Sequence, residues 1–321
     1  MRVLVTGASG MIGRAVATEL VSRGLTVRSF QRRPSGVAGV EDALGSVSVA
    51  GDVNEAVRGM DAVVHLAAKV SLAGDPADFA RVNIGGTRSL LAAASDHGIN
   101  RFVQISSPSV AHSGVSIVGE GPGPASAATA RGEYARTKAA AEQLALAADR
   151  PGLRVIAVRP HLVWGPGDTQ LVQRVVDRAR AKRLPLIGHG AVLVDSTYVD
   201  NAASAIAAAL ERCEDAHGRA FVVSNGEPRP IAELIASMCL AAGVTPPAWR
   251  VPARAARVAG SVVELLWRAR LDGDEPPMTR FLAEQLSTAH WFDQRETREQ
   301  LQWTPQITLA EGFRRLTAFY R

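Results

Sequence analysis

The sequence predicts an α/β fold, a doubly wound parallel sheet with a smaller C-terminal α/β region. Three observations predict it. Short apolar strands alternate with helical stretches through residue 160, which is typical of a parallel sheet covered by helices on both faces. A glycine-rich turn joins the first strand to the first helix. The 321 residues, 47% hydrophobic and 21% charged, have an ordinary globular composition and suffice for a large core with additional elements.

The first strand, residues 3–6, runs directly into three glycines spaced three apart, and helical apolar spacing follows. The first glycine permits a tight turn, the second lets backbone approach phosphates, and the third lets helix pack on strand. The free N–H groups of the helix then face the anion. We therefore predict a dinucleotide with its pyrophosphate at Gly10–Ile12. The residues predicted to contact it are Gly7, Ser9, Gly10, Met11, Ile12 and Gly13.

The end of the second strand, residues 25–30, indicates which dinucleotide binds. NAD sites usually place Asp or Glu there for the ribose hydroxyls. Here Gln31, Arg32 and Arg33 follow the strand. An acid would repel a 2′-phosphate, whereas a guanidinium can clamp it in bidentate fashion. Two arginines at a strand end are otherwise simply solvated charge, but behind the glycine turn they favour NADP(H) over NAD(H).

A second group of residues predicts chemistry. Tyr134 and Lys138 lie four apart in a stretch rich in helix-forming residues, so they share one helix face. A nearby ammonium favours the phenolate and lowers the pKa of a tyrosine. Upstream, the buried strand at residues 101–105 ends in Ser106 and Ser107, where parallel sheets bind ligands. A serine hydroxyl there can hydrogen-bond a carbonyl oxygen as it becomes an oxyanion. Tyr-x-x-x-Lys alone is usually structural, but behind the dinucleotide motif it predicts a catalytic group.

Further motifs accompany these residues. They are Gly51-Asp52-Val53, His65-Leu66-Ala67-Ala68, residues 82–87, residues 159–166 and the closing segment 303–313. In order and spacing the chain resembles the extended short-chain dehydrogenases/reductases over its whole length. Within that superfamily it is most similar to the 3β-hydroxysteroid dehydrogenase-like branch, and there to the bacterial 2-alkyl-3-oxoalkanoate reductases of olefin and β-lactone pathways. The closer likeness is carried by residues 107–110, 164–168, 223–228 and 275–280.

The resemblance implies a Rossmann-like domain and a role for each matching residue. Tyr134 would donate the proton to the substrate oxygen, Lys138 would hold the nicotinamide ribose, and Ser107 would polarise the carbonyl. Ser106 remains an alternative to Ser107. Asp52 would meet the adenine amino group with Val53 beside it. Asn83 is either a helix-level hydrogen-bonding residue or part of the cofactor wall. The other cofactor contacts implied are Ala67, Ala68, Lys69, Pro160 and Val163.

The function implied is NADPH-dependent reduction of a 3-oxo acid of the 2-alkyl-3-oxoalkanoate type to the 3-hydroxy acid. The substrate would be a large apolar acyl or steroid-like molecule, which places the enzyme in lipid metabolism. One alternative is an NAD(P)-dependent 3β-hydroxysteroid dehydrogenase. Another is a nucleotide-sugar epimerase or dehydratase, although no clear sugar-recognition pattern follows residue 165. A non-catalytic dinucleotide sensor is the third, but such proteins often lose the tyrosine or lysine that this chain keeps.

Two regions are expected. Residues 1–165 form the NADP(H)-binding domain, which residues 193–224 rejoin, whereas 166–192 and 225–321 mainly bind substrate. His112 follows the serine strand closely enough to reach a substrate, whose carboxylate would benefit from a cation there. Arg280 either pairs with a substrate carboxylate or lies on a helix surface.

Composition restricts the partners. The net charge of +5 suits anionic ligands, but only 5% of residues are aromatic and no basic–aromatic interleaving occurs, which argues against nucleic acid. Histidines and carboxylates do not assemble into a metal site, and Cys213 and Cys239 have no metal-ligand spacing. A strand at Arg2 and the lack of a long apolar run predict a cytoplasmic protein, and we expect a homodimer. The apolar, arginine-flanked residues 251–271 form a core helix, a lid or a peripheral membrane contact.

Overall fold

The computed structural model describes residues 1–71, 74–268 and 278–321. Two of the predictions extend beyond this part of the chain. Residues 275–277 of the 275–280 segment and residues 269–271 of the ambiguous helix lie outside the described residues.

A seven-stranded parallel sheet forms the centre of the molecule and confirms the predicted fold class. Its strands are β1 (Arg2–Thr6), β2 (Thr26–Gln31), β3 (Val40–Leu44), β4 (Ala62–His65), β5 (Arg101–Ile105), β7 (Arg154–Pro160) and β12 (Arg219–Val223). Their order is β12-β7-β5-β4-β1-β2-β3, so the chain reverses its direction of winding between β1 and β4. In open α/β sheets, ligands bind at the carboxyl ends of the strands at such a switch point.

Helices cover both faces of this sheet, because its strands alternate side chains between two apolar clusters. The helices are α1 (Met11–Ser22), α2 (Ala50–Val57), α4 (Gly86–Asp96), α5 (Gly132–Ala147) and α7 (Val199–Glu211). In β1, Val3 and Val5 enter the cluster under α1 and α7, whereas Leu4 enters the cluster under α2, α4 and α5. The short helix α3 (Pro76–Phe79) continues through a π-helical turn, Ala80–Gly85, into α4.

A second region packs beyond the carboxyl ends of the sheet around its own apolar cluster. Its strands are β6 (Ile117–Glu120), β8 (Val163–Trp164), β9 (Leu186–Ile187), β10 (Leu193–Val194), β11 (Thr197–Tyr198), β13 (Arg229–Pro230), β14 (Arg250–Val251) and β15 (His290–Phe292). Four of them form a sheet of order β13-β10-β15-β6, and two short ladders pair β11 with β8 and β14 with β9. The helices are α6 (Val172–Arg180), α8 (Ile231–Ala241), α9 (Ala253–Arg268), α10 (Arg280–Gln285), α11 (Arg295–Leu301) and α12 (Leu309–Tyr320).

The two regions interleave along the chain. After β10 and β11, the chain returns to the large sheet through α7, which packs on α1, and β12, which pairs with β7. In the opposite direction, β6 leaves the first 165 residues and pairs with β15 of the second region. The predicted division at residue 165 therefore omits the exchange made by β6. It also assigns the short strands β8, β10 and β11 to the first region, whereas they pair within the second. Among the described helices, none is long and apolar enough to cross a bilayer.

Candidate active site

The glycine turn after β1 is shaped so that two of its glycines are required. Gly7 has φ +79°, and a Cβ there would lie 2.9 Å from the Ala67 backbone nitrogen. A Cβ on Gly13 would lie 2.3 Å from the Gly7 carbonyl oxygen, because α1 packs directly on the turn. Gly10 precedes α1, and no side chain caps the helix. The N-terminal amides of α1 are therefore available to an anion, as a pyrophosphate site requires.

The end of β2 joins this turn through Gln31. The buried side chain accepts a hydrogen bond from the Ala8 nitrogen at 3.1 Å and donates to Ser29 Oγ at 2.8 Å. Arg32 and Arg33 are exposed, and within the described part of the chain neither guanidinium has a side-chain partner. Sequence reasoning missed Asp42 of β3, whose carboxylate accepts hydrogen bonds from Ser29 Oγ, the Ser35 nitrogen and, at 3.3 Å, Gln31 Nε2. Burial raises the pKa of the Asp42 carboxyl, but the hydrogen bonds outweigh this effect, so the pKa is lowered overall.

Asp52 and Val53, the residues expected to contact the adenine, do not lie at the end of β3. Strand β3 ends at Leu44, whereas Asp52 lies in the first turn of α2 and accepts a hydrogen bond from the Ser46 nitrogen at 2.9 Å. Val53 is buried in the cluster below the sheet. The loop that directly follows β3 is therefore the one containing Ser46. The strand boundary was the signal that could have identified this loop, since ligands lie at strand ends rather than within the next helix.

The loop after β4 lies against the glycine turn. The Ala67 nitrogen donates to Thr6 Oγ1 at 3.0 Å, and Gly7 touches the backbone of the same residue. Ala68 follows in this loop and is partly exposed. The Lys69 ammonium pairs with Asp78 at 3.1 Å and lies 5.0 Å from the centroid of the Phe79 ring. The loop thus forms one wall beside the predicted pyrophosphate position.

Asn83 connects this loop to helix α5. It is buried in the π-helical turn, and its Oδ1 accepts from the Lys69 nitrogen at 2.7 Å. Its Nδ2 donates to the Lys69 carbonyl oxygen at 3.2 Å and to Thr137 Oγ1 at 3.0 Å. Because these contacts occupy both ends of the amide, the hydrogen-bonding role of Asn83 is the one that the geometry favours.

Helix α5 and the end of β5 bring the three predicted catalytic residues together. The Tyr134 hydroxyl hydrogen-bonds the Ser107 side chain. Ser107 Oγ also accepts from the nitrogen and the hydroxyl of Ser109, at 3.3 and 3.0 Å. Lys138 Nζ donates to the Ile105 carbonyl at the end of β5. Ser106 Oγ, in contrast, is buried and has no hydrogen-bond partner within the described residues. Of the serine doublet, Ser107 is therefore the one that contacts Tyr134.

Burial sets the protonation of this group. Desolvation raises the pKa of Tyr134 to about 12, opposed by its hydrogen bond with Ser107. Desolvation also lowers the pKa of Lys138 to about 8, opposed by the charge of Glu142. The pKa of Tyr134 is thus raised rather than lowered as expected, because desolvation is the largest contribution to it and Lys138 Nζ donates to a backbone carbonyl. At pH 7 the phenol keeps its proton, which suits a proton donor.

The end of β7 supplies the opposite side of the site. Pro160 is buried and pairs with Val223 of β12, whereas Val163 lies in the separate ladder between β8 and β11. Behind Pro160, Arg159 forms a buried ion pair with Glu142 of α5. This contact, which sequence reasoning missed, fixes the catalytic helix on the sheet.

Three buried histidines lie beyond these strand ends; we call His112, His161 and His290 the histidine cluster. The ring centroids of His112 and His290 are 5.5 Å apart, and those of His161 and His290 are 5.7 Å apart. Burial lowers the pKa of all three, that of His290 to about 3. His112 is therefore neutral at pH 7 rather than the expected cation.

Arg280 lies in α10 and pairs with buried Glu284 at 3.0 Å, so the helix-surface interpretation describes it better. Arg131 binds the same carboxylate. Within the described residues no group of His, Cys, Asp and Glu could hold a metal ion, and both cysteines are buried thiols.

A parallel sheet with a glycine turn before an uncapped helix N-terminus, together with a Ser–Tyr–Lys group at the strand ends, is the arrangement expected of a nucleotide-dependent oxidoreductase. Over residues 3–224 the chain matches the NAD dependent epimerase/dehydratase family, and it belongs to that family of extended short-chain enzymes. It is an enzyme of the oxidoreductase type acting on alcohol and carbonyl groups, as predicted.

Individual relatives and solved structures are consistent with this family assignment. The chain is 42% identical over 328 residues to a 2-alkyl-3-oxoalkanoate reductase of Stenotrophomonas maltophilia, covering 99% of both chains. It is 30% identical to a 3-beta-hydroxysteroid dehydrogenase of Mycolicibacterium neoaurum, covering 99% of this chain and 90% of the relative. Among solved structures, the UDP-glucose 4-epimerase of Thermus thermophilus in complex with NAD is similar with a TM-score of 0.71 and 25% identity, covering 100% of this chain and 99% of that one.

Proposed function

We propose that this enzyme reduces a 3-oxo acid of the 2-alkyl-3-oxoalkanoate type to the 3-hydroxy acid with NADPH. The observation that carries the proposal is the contact between Tyr134 and Ser107 at the strand ends beside the glycine turn. The 42% identical reductase supports the substrate class. The glycine turn fits a dinucleotide because Gly7 and Gly13 let the turn, α1 and the loop after β4 pack closely, and no side chain caps the N-terminal amides of α1.

In the proposed reaction the nicotinamide cofactor supplies the hydride to the carbonyl carbon. Ser107 and Tyr134 hydrogen-bond the carbonyl oxygen and hold it as negative charge develops. Tyr134 then donates its hydroxyl proton to that oxygen, since its raised pKa keeps it protonated at neutral pH. Lys138, fixed by the Ile105 carbonyl, stabilises the phenolate that remains. Asn83 holds the loop after β4 against helix α5 through its hydrogen bonds to Lys69 and Thr137.

The preference for NADPH rests on the exposed pair Arg32 and Arg33 and on Gln31, which replaces an acid. Asp42 opposes the preference, because its ionised carboxylate lies beside Gln31. All three of its hydrogen bonds fall on Oδ1, so Oδ2 keeps the capacity to accept from a ribose hydroxyl. The proposed specificity therefore rests on Arg32 and Arg33, whose positive charge attracts a 2′-phosphate. On the adenine side we assign the contact to the loop at Ser46 instead of Asp52.

The decisive assay compares a 2-alkyl-3-hydroxy acid with NADP⁺ against a 3β-hydroxysteroid with NAD⁺, using the purified enzyme. We expect a kcat/KM for the acid well above that for the steroid. Steroid turnover well above that of the acid would overturn the proposal in favour of the steroid alternative. An epimerase, the other alternative, would retain its cofactor on purification and show no net consumption of NADPH.

We further propose a cytoplasmic homodimer that contacts membranes through α9. Four large apolar side chains of this helix are exposed, among them Leu265 at 68% and Leu266 at 59%. A variant with Leu265→Glu and Leu266→Glu should lose any recovery with floating anionic liposomes that the intact protein shows, because charge cannot enter the acyl region. If the intact protein stays entirely in the soluble fraction, the membrane proposal is wrong.

A further inference from the structure

The histidine cluster begins just after the strand ends that carry Ser107 and Pro160. His161 directly follows Pro160 at the end of β7, and His112 follows Ser107 by one short 3₁₀ turn, Pro108–Val110. His290 begins β15 of the second region and faces both, so the cluster joins the two regions. The Phe292 ring packs against the cluster, with its centroid 5.1 Å from that of His161.

The hydrogen bonds of the cluster define which ring nitrogens carry protons. His112 Nδ1 accepts from the Gly114 nitrogen at 3.3 Å, so the neutral ring carries its proton on Nε2. The Thr288 hydroxyl donates its only hydrogen to the Glu284 carbonyl at 2.8 Å, so it must accept from His290 Nε2 at 2.9 Å. His290 Nδ1 is therefore left as a lone-pair acceptor.

The two remaining nitrogens, a donor on His112 and an acceptor on His290, are buried without a partner in the described part of the chain. His161 Nε2 is likewise buried and has no hydrogen-bond partner among the described residues. Unpaired buried polar atoms cost free energy, so they mark places where a ligand is expected to complete the hydrogen bonds. A group that accepts from one nitrogen and donates to the next fits this pair, and a protonated carboxyl group has that pattern.

We propose that the histidine cluster binds the carboxyl group of the substrate acid. His112 Nε2–H donates to one carboxyl oxygen, and His290 Nδ1 accepts the proton held between it and the other oxygen. The inference rests on the proposed function and adds to it the residues that recognise an acid. It also explains how a 3-oxo acid survives in the site. Such acids lose CO₂ when their carboxyl proton reaches their own ketone oxygen, but here His290 holds that proton and Tyr134 with Ser107 occupies the ketone oxygen.

Binding therefore takes up one proton. Near pH 7 the free substrate is a carboxylate and the free cluster is neutral, because burial lowers the pKa of all three histidines. Neighbouring imidazoles lower the pKa values of His161 and His290 further, whereas for His112 the charge of Glu284 and a hydrogen bond with the Val115 backbone oppose burial and the charge of Arg131 adds to it. Glu284 faces His112 from α10 and is paired with Arg131 and Arg280, and the Asp195 nitrogen donates to the His290 carbonyl from the loop after β10. The bound state contains one proton more than the separated partners. Affinity for the acid should fall about tenfold for each pH unit above neutral.

The test uses His112→Leu, His112→Gln and the matched control His189→Leu. His189 is exposed, and its Nδ1 accepts from the nitrogen two residues ahead, as that of His112 does. Each variant is assayed with NADP⁺ on a 2-alkyl-3-hydroxy acid and on the matching secondary alcohol that lacks the carboxyl group. His112→Leu should raise KM for the acid on the order of ten- to a hundredfold and leave KM for the alcohol unchanged. His112→Gln keeps an N–H donor and should recover part of the loss, whereas the control should change neither KM.

Equal changes of KM for both substrates, or none, would overturn the inference and leave the proposed function standing. Failure of the wild-type enzyme to turn over the acid would instead remove the proposed function. If His112→Leu does not fold, the wild-type pH profile decides. KM for the acid should rise about tenfold per unit between about pH 7 and 8.5 while KM for the alcohol stays constant, and parallel profiles contradict the inference.

Discussion

At the scale of single residues, burial determines what Tyr134 does. A phenol with a pKa of about 12 is a donor at neutral pH, and Ser107 is its hydrogen-bond partner. Tyr134→Phe removes the donated proton and leaves the glycine turn intact. We expect kcat to fall by about 10²–10⁴-fold, with NADPH affinity nearly unchanged. Steady-state kinetics and fluorescence titration of NADPH check this, and wild-type turnover in the variant would disprove the assignment.

We expect Lys138 to set the pH dependence of the proposed proton transfer from Tyr134. Its pKa of about 8, lowered by burial, means that the ammonium is lost as the pH rises through that value. Without the ammonium, the phenolate formed from Tyr134 loses its stabilising charge, so ketone reduction should slow above pH 8. The plot of kcat/KM against pH, which reports groups of the free enzyme, should bend downward near pH 8. A profile that stays flat to about pH 10 would exclude this role.

We propose that Arg32 and Arg33 determine the cofactor preference. Replacing both by Ala should weaken NADPH binding by about tenfold or more and NADH binding far less, because only NADPH presents a 2′-phosphate to them. The double variant Lys182→Ala and Arg183→Ala, at two exposed positions in the loop after α6, serves as the control for the same change in net charge. Cofactor dissociation constants measured at fixed ionic strength decide the matter. Equal losses for the two cofactors would contradict the prediction.

At the scale of elements, Asn83 connects the π-helical turn, the loop after β4 and α5. Asn83→Ala leaves the Lys69 backbone groups unpaired and removes the bond to Thr137. We expect a loss of about 1–3 kcal/mol in the free energy of unfolding, measured with denaturant, and a fall in kcat. Thr137→Ser keeps the acceptor hydroxyl and should behave like the wild type. If Thr137→Ser lost as much free energy of unfolding as Asn83→Ala, packing rather than the hydrogen bond would be responsible.

Features that depend on a few neighbouring residues could be predicted from the sequence. The glycine turn and the four-residue spacing of Tyr134 and Lys138 were predictable, because one tight turn and one helix face define them. The proposed adenine contact moves from Asp52 to the loop at Ser46, since the end of β3 depends on pairing with β2 rather than on its own sequence. The histidine cluster was not predictable at all. Its members are separated by 49 and 129 residues in sequence and meet only through the pairing of β15 with β10 and β6.

At the scale of the whole molecule, the exchange of β6 and β12 between the two regions has a consequence for synthesis. Strand β7 lies between β5 and β12, and β12 is translated more than fifty residues after β7 ends. Until then the nascent chain presents the open edge of a buried, strongly apolar strand, the kind of surface that recruits foreign strands. The first region therefore emerges from the ribosome before β12, the last strand of its sheet, has been made. Expression of residues 1–165 alone should consequently yield aggregates rather than a smaller cofactor-binding protein, and chaperones that shield strand edges should matter most during the translation of residues 160–223.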